Sequence, residues 1–218
     1  GIDTLGEYAH ALGLGVSTGI ELVETTGNMS NAANHMDYAG SEWRIGDTLQ
    51  AAIGQSDSVF TPLQLAEYCA AVANNGERHS ASILKSIRNY DYSEKVYERQ
   101  DEVLSTVESP QYNWDAIHEG MKEVINSPLN ETNYLNFYDC AVTVAGKTGT
   151  AQKGEGIKND GLFICYAPYE DPEIAVAVVV ERGHAGASVG FIARQIVDVY
   201  LNIRSYSNTS ESEMSLLK

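Results

Sequence analysis

Apolar positions recur along the chain with two different periods, and the place where one gives way to the other organises it. Leu5, Tyr8, Ala9 and Leu12 repeat at helical spacing until Gly13 and Gly15, which predicts a helix over 4–14. Residues 28–40 are dominated by Asn, Ser, Gly and Asp and read as a surface loop, with Trp43 as the anchor that follows. Thr61-Pro62-Leu63-Gln64 combines a capping Thr, a Pro at the first helical position and a Gln placed to return the capping bond. Leu65, Cys69, Val72 and Ala73 then form a stripe that Asn75-Gly76 ends. A short strand is expected over 82–87, and the charged stretch 90–109 reads as an irregular excursion over the surface. Trp114, Ile117, Met121, Val124 and Ile125 predict a further helix before Pro128.

Beyond Pro128 the period changes. Residues 141–145 alternate, 162–167 are apolar throughout and 173–181 form a β-branched run, so three strands are expected. Pro168-Tyr169-Glu170-Asp171-Pro172 is turn chemistry short enough to make the second and third an antiparallel hairpin. Val189, Ile192, Ile196, Val199 and Ile203 mark an amphipathic helix with one face for the sheet, and from Ser205 the chain is a polar, frayed tail. The fold class is α+β: a mostly helical lobe over 1–140, strands plus a C-terminal helix over 141–204, and the tail 205–218.

Charge narrows the function classes. Fourteen Lys and Arg against 30 Asp and Glu leave a net charge of −16, which repels phosphate backbones and anionic headgroups and argues against nucleic acid as a partner. No apolar run approaches the roughly 20 residues of a membrane span, which predicts a soluble chain. Cys69, Cys140 and Cys165 stand in no ligand spacing and the five histidines are scattered, so neither a metal nor a cofactor is expected. Cys69 and Cys165, set among apolar residues, read as small buried hydrophobes.

Four short motifs compete for the chemistry. Ala141 with Gly146-Lys147-Thr148 satisfies a relaxed phosphate-loop pattern, but the residues between favour a strand and no helical period follows. Gly186-Ala187-Ser188-Val189-Gly190 matches a nucleophile elbow, yet no His lies downstream of Ser188, so a loop at the start of the last helix is the reading. Ser82 to Lys85 and Ser215 to Lys218 match Ser-x-x-Lys. That pair needs a helix to share a face, and neither stands in one. The fourth is Lys147-Thr148-Gly149, extended to Thr150-Ala151-Gln152 at the end of an apolar strand.

The order of several stretches then resembles the C-terminal part of the transpeptidase domain of class B penicillin-binding proteins. These are Leu12-Gly13-Leu14-Gly15 to Thr18-Gly19-Ile20-Glu21-Leu22, Ile53-Gly54-Gln55, Thr61 to Ala66, Ala73-Asn74-Asn75-Gly76, Ala145 to Gln152, Phe163 to Pro168 and Pro172 to Val178. The approach from Trp43 to Thr48 is more similar to the elongation branch than to the division branch, while Ser56-Asp57-Ser58 departs from the Gly and aromatic residue usual there. Of the family's three elements, Ser-x-x-Lys, Ser-x-Asn and Lys-Thr-Gly, only the third is recognisable in the chain.

The resemblance implies a peptidoglycan D,D-transpeptidase that works through a Ser acyl-enzyme, with this chain starting after the nucleophile and inactive alone. It implies Lys147 as a fixed charge in the cleft, and Thr148 and Thr150 as hydroxyls for the carboxylate of a D-Ala-D-Ala peptide or a β-lactam. Gly149 would let substrate backbone lie against the strand, and the Thr150 N–H would be one oxyanion donor. It implies an extracytoplasmic location, a membrane anchor upstream, and the missing N-terminal part of the same domain as a partner. An uncovered strand edge and apolar face would then favour self-association. The alternative of another class is a non-catalytic transpeptidase-like binding or assembly module. Glu131 to Asn136 carries no recognisable signal.

Overall fold

The structure, a computed structural model, describes residues 1–214. It divides into two compact units, Gly1–Trp114 and Asp115–Lys218. The division falls inside a helix, ahead of the change of period at 140/141.

In the first unit, α1 spans Ile2–Ala11, α2 His35–Ala39, α3 Ile45–Ala52 and α4 Pro62–Ala73. The start of α4 follows its sequence signals: Thr61 Oγ1 accepts from the Gln64 N–H at 3.1 Å, and Gln64 Oε1 accepts from the Thr61 N–H at 3.0 Å. Gln64 does more than cap. Its side chain is fully buried, and Nε2 donates to the carbonyls of Val16 and Thr26, tying the preceding loops to the helix. The stop at Asn75-Gly76 is also as expected, with both residues left-handed (φ 55 and 91). Gly76 is required for a second reason: a Cβ there would stand 2.5 Å from the Trp114 ring and 2.7 Å from the Val107 carbonyl oxygen.

Three expectations in this unit change. The loop expected over 28–40 contains α2, and α3 follows it, where the sequence predicts only an anchoring Trp43. Both are held by a buried polar knot rather than by apolar periodicity. His35 is 4% exposed, its Nδ1 pairs with Asp57, its Nε2 lies 3.3 Å from Ser41 Oγ and 3.6 Å from Asp47, and Trp43 packs against it edge-on. The strand expected over 82–87 is confined to β2, Ser86–Arg88. The supposedly irregular 90–109 holds β3, Lys95–Glu98, and β4, Val103–Thr106, which pair antiparallel with β2 and with β1, Glu77–His79, respectively. Ladders three or four residues long, rich in charge, leave no apolar alternation to read.

Helix α5 spans Gln111–Asn126 and α6 Glu131–Phe137; β5 covers Ala145–Ala151, β6 Asp160–Ala167 and β7 Ile174–Val180. The three strands form one antiparallel sheet in the order β5-β6-β7. A short 3-10 helix, Gly186–Val189, leads into α7, Gly190–Met214. Neither Gly nor Pro interrupts the chain after Ile203, so the helix runs past the point where the apolar stripe stops; residues 215–218 of the expected tail lie outside those described. The core of this unit gathers Ile125, Phe137, Val144, Phe163, Cys165, Ala167, Val176, Val178, Val189, Ala193 and Val197 on one face of the sheet. Among the described residues no helix is long and apolar enough to cross a membrane.

Candidate functional site

Strand β5 sits where its pairing, not its hydropathy, places it. The alternating run 141–145 lies ahead of the ladder, which begins at Ala145 opposite Tyr166 and runs to Ala151 opposite Asp160. Lys147-Thr148-Gly149-Thr150 is therefore the middle of the strand rather than its end. Polar residues with a glycine among them read poorly as strand, but β6 is apolar and well paired on its other side, and it carries β5 with it. β5 has a strand neighbour on one side only, so its other edge is open among the described strands.

Directly paired residues share a sheet face. Thr148 lies opposite Phe163, which lies opposite Val178, and Thr150 lies opposite Gly161, which lies opposite Val180. Phe163 and Val178 belong to the helix-covered core, so the two threonines stand in line on that same side at its open margin, and Thr150 is exposed. Lys147 and Gly149 belong to the opposite face. The Lys147 ammonium is exposed and donates to the Thr148 carbonyl at 2.7 Å. Gly149 faces Leu162, whose Cβ would be 3.2 Å from a Cβ placed there. The far end of the β5–β6 pair is clamped. Lys153 pairs with Asp160 at 2.7 Å, and Asp160 accepts from the Arg182 N–H at 2.9 Å. Hydrogen bonding from Lys153, then from that N–H, holds the Asp160 carboxyl below the usual range.

The remaining motif matches do other things. Residues after Thr148 continue as strand, so no helix follows to hold a phosphate. Ser82 lies outside any helix, and its hydroxyl donates to Glu21, whose carboxyl that bond, first among several, lowers to about 2; Lys85 offers its carbonyl to the Arg99 N–H. Ser215 to Lys218 lies outside the described residues. Ser188 is exposed within the 3-10 helix, where its N–H donates to the Ala185 carbonyl. Cys69 and Cys165 are fully buried, and burial pushes the Cys165 thiol up to about 12.

Sequence reasoning gave no role to residues 131–136. They form α6, which lies against α7 through a definite set of bonds. Arg194 Nη1 donates to the Asn136 carbonyl at 3.1 Å and to Asp139 at 2.7 Å, while Phe137 stacks on Phe163. Asn136 Nδ2 donates to the Ala187 carbonyl in the 3-10 helix at 3.3 Å. No periodicity announces this, because the seven-residue helix is held through backbone carbonyls and one aromatic contact.

With this geometry in hand, comparison with known proteins is specific. The family model described as the penicillin binding protein transpeptidase domain matches residues 1–198. The peptidoglycan D,D-transpeptidase MrdA of Haemophilus influenzae is 33% identical over 94% of this chain and 33% of its own length. Among solved structures, penicillin-binding protein 2B of Streptococcus pneumoniae superposes with a TM-score of 0.78 at 28% identity, covering 93% of this chain and 33% of that one. The penicillin-binding protein PBP2 of Helicobacter pylori, solved in complex with MreC, gives 0.77 at 26% identity over 93% of this chain and 36% of its own. The chain spans about a third of the length of the curated relatives it matches.

Proposed function

Because the chain belongs to the penicillin-binding protein transpeptidase family, we propose that it forms the C-terminal part of the transpeptidase domain of an elongation-type peptidoglycan D,D-transpeptidase. In the whole protein a catalytic Ser attacks the carbonyl between the two D-alanines of a donor stem peptide, D-alanine leaves, and the acyl group passes to an acceptor amine. A β-lactam acylates the same Ser. The rest of the domain supplies that Ser and its Lys, and a segment upstream anchors the protein at the extracytoplasmic face of the bacterial membrane. The likeness to MrdA supports the elongation branch.

Each residue of the strand has a part. Thr148 and Thr150, on one face, donate hydroxyl hydrogen bonds to the substrate carboxylate. Lys147 leaves its contact with the Thr148 carbonyl to place a positive charge beside the reacting groups, where it favours the anionic substrate and eases proton transfer by the Ser and its Lys. Gly149 keeps the strand free of a side chain where substrate backbone lies alongside. The Thr150 N–H and the N–H of the catalytic Ser form the oxyanion hole.

The observation that carries this reading is the placing of Lys147-Thr148-Gly149-Thr150 inside an open edge strand, with both hydroxyls on one face. It is tested with a fluorescent penicillin and intact-mass detection. The 218-residue chain alone is expected to form no covalent adduct. The full-length protein is expected to form one, at a rate that Lys147→Ala lowers by about 100-fold. An adduct on the isolated chain would overturn the assignment of the nucleophile to another part of the protein. No labelling of the full-length protein would favour a non-catalytic binding or assembly module.

A further inference from the structure

The Gly149–Thr150 segment of β5 is braced from one side by backbone rather than by side chains. The Gly186 N–H donates to Thr150 Oγ1 at 3.2 Å. Gly186 itself is buried flat on the strand. A Cβ there would stand 2.6 Å from the Gly149 nitrogen and closer still to the carbonyl oxygens of Gly149 and Leu162, so only glycine lets the two backbones meet. The neighbouring strand makes the same allowance: a Cβ at Gly161 would lie 3.1 Å from the Ala185 carbonyl oxygen. The 3-10 helix is in turn held from α6, where Asn136 Nδ2 donates to the Ala187 carbonyl, and Gly190 leaves room for that amide, since a Cβ there would lie 3.4 Å from Asn136 Nδ2. A continuous path thus runs from Asn136 through Ala187 and Gly186 to the Thr150 hydroxyl.

We propose that Gly186 and Asn136 are positioning residues for substrate binding, fixing the Thr150 hydroxyl at the place where it meets the carboxylate of a stem peptide or β-lactam. The inference rests on the transpeptidase reading above. A threonine side chain on an open strand edge has three staggered positions for its oxygen; the bond from Gly186 selects one and removes the cost of selecting it when the anion arrives. Gly186 and Asn136 touch neither the reacting carbonyl nor the carboxylate. The hydrogen bonds they make lead to the Thr150 side-chain oxygen, so the part of their effect carried by those bonds belongs to recognition of the anion rather than to the chemical step.

The test uses the full-length protein and separates noncovalent binding of a penicillin from the acylation step that follows. Gly186→Ala and Asn136→Leu are each expected to weaken binding by about 10-fold, a loss in keeping with a small displacement of a binding group. For Asn136→Leu the acylation step itself is expected to change by less than about 2-fold, whereas Gly186→Ala also presses on the Gly149 carbonyl, part of the peptide that carries the Thr150 N–H, and is expected to slow acylation as well. The methyl ester of the same penicillin, which lacks the anion, should bind wild type and variants alike. In a Thr150→Val background, Asn136→Leu should add nothing, because both substitutions remove the same positioned oxygen. If Gly186→Ala fails to fold, Asn136→Leu carries the test alone. Equal losses for acid and ester, or additive losses in the Thr150→Val background, would overturn the positioning role and leave the transpeptidase reading standing. A wild-type protein that no penicillin acylates would overturn both.

Discussion

Glu67, on the buried side of α4, carries a cost that its neighbours do not remove. It is 8% exposed, and neither carboxylate oxygen has a hydrogen-bond partner. Burial pushes its carboxyl up to about 7, against the pull of the Arg78 guanidinium and with a push from the Glu24 carboxylate. Arg78, 7% exposed, is itself only partly satisfied: Nη2 reaches the Ser17 carbonyl at 3.5 Å, while Nε and Nη1 have no partner. The folded state holds the Glu67 proton more tightly than the unfolded chain, whose ordinary value is 4.5. Stability from this group is therefore fully present below about pH 4.5 and is lost as pH rises through about 7, a change of order ~3 kcal/mol. Glu67→Gln keeps the shape and removes the titration. Relative to wild type, the variant should gain ~1–3 kcal/mol between pH 5 and pH 8 in urea unfolding. Both tryptophans, Trp43 and Trp114, lie in the unit that contains Glu67, so their fluorescence reports it. Stability curves for variant and wild type that stay parallel across this range would refute the account.

At the scale of elements, legibility depended on what holds each one. The start of α4 could be read because its signals are local: Thr61, Pro62 and Gln64 cap it within one turn, and Asn75-Gly76 ends it by backbone conformation. β6 and β7 could be read because both are apolar enough to declare themselves. β5 was misplaced by several residues, since Val142 and Val144 look more like strand than Lys147 and Thr148, and only pairing with β6 corrects the choice. Helices α2 and α6 carry no apolar period because they are held mainly by polar contacts, the His35 knot with Asp57, Asp47 and Ser41 in one case and Arg194 far along the chain in the other. Arg194 is the polar anchor of α6. It makes two bonds to Asp198 on its own helix and reaches the Asn136 carbonyl and both the side chain and carbonyl of Asp139. Lys offers no planar fork, so Arg194→Lys should cost ~1–3 kcal/mol, concentrated where α6 meets α7. Hydrogen exchange is expected to show faster exchange of the amides of residues 134–138 with β6 unaffected; unchanged protection in α6 would show that the stacking of Phe137 on Phe163 suffices without the guanidinium.

For the molecule as a whole, two features oppose each other. One face of the three-stranded sheet is packed by helices; on the other, Ala145 and Tyr166 are buried at one end, where His118 meets Tyr166, but Leu162, Ile164 and Ala177 are only half-buried and Val179 is 37% exposed. Beside that face the outer edge of β5 has no strand neighbour among the described residues. A free edge next to apolar surface is a template for a second chain. A net charge of −16 works the other way, since two copies must bring their charge together, and that repulsion reaches about 10 Å at 0.1 M salt but only about 3 Å at 1 M. Self-association of the 218-residue chain should therefore increase with salt, the reverse of what an interface built on ion pairs would do. Sedimentation velocity over a range of protein concentrations is expected to show a weight-average coefficient that rises with concentration, and rises further in 0.5 M NaCl. Ile164→Lys and Val179→Lys place charge on the open face without touching the packed one, and each should return the chain towards monomer by lowering apolar area, although each also reduces the net negative charge. That last point makes the substitutions discriminating: if repulsion alone governed association, these two lysines would promote it. A monodisperse monomer at every salt concentration, or stronger association of the lysine variants, would rule out this face as the site of contact.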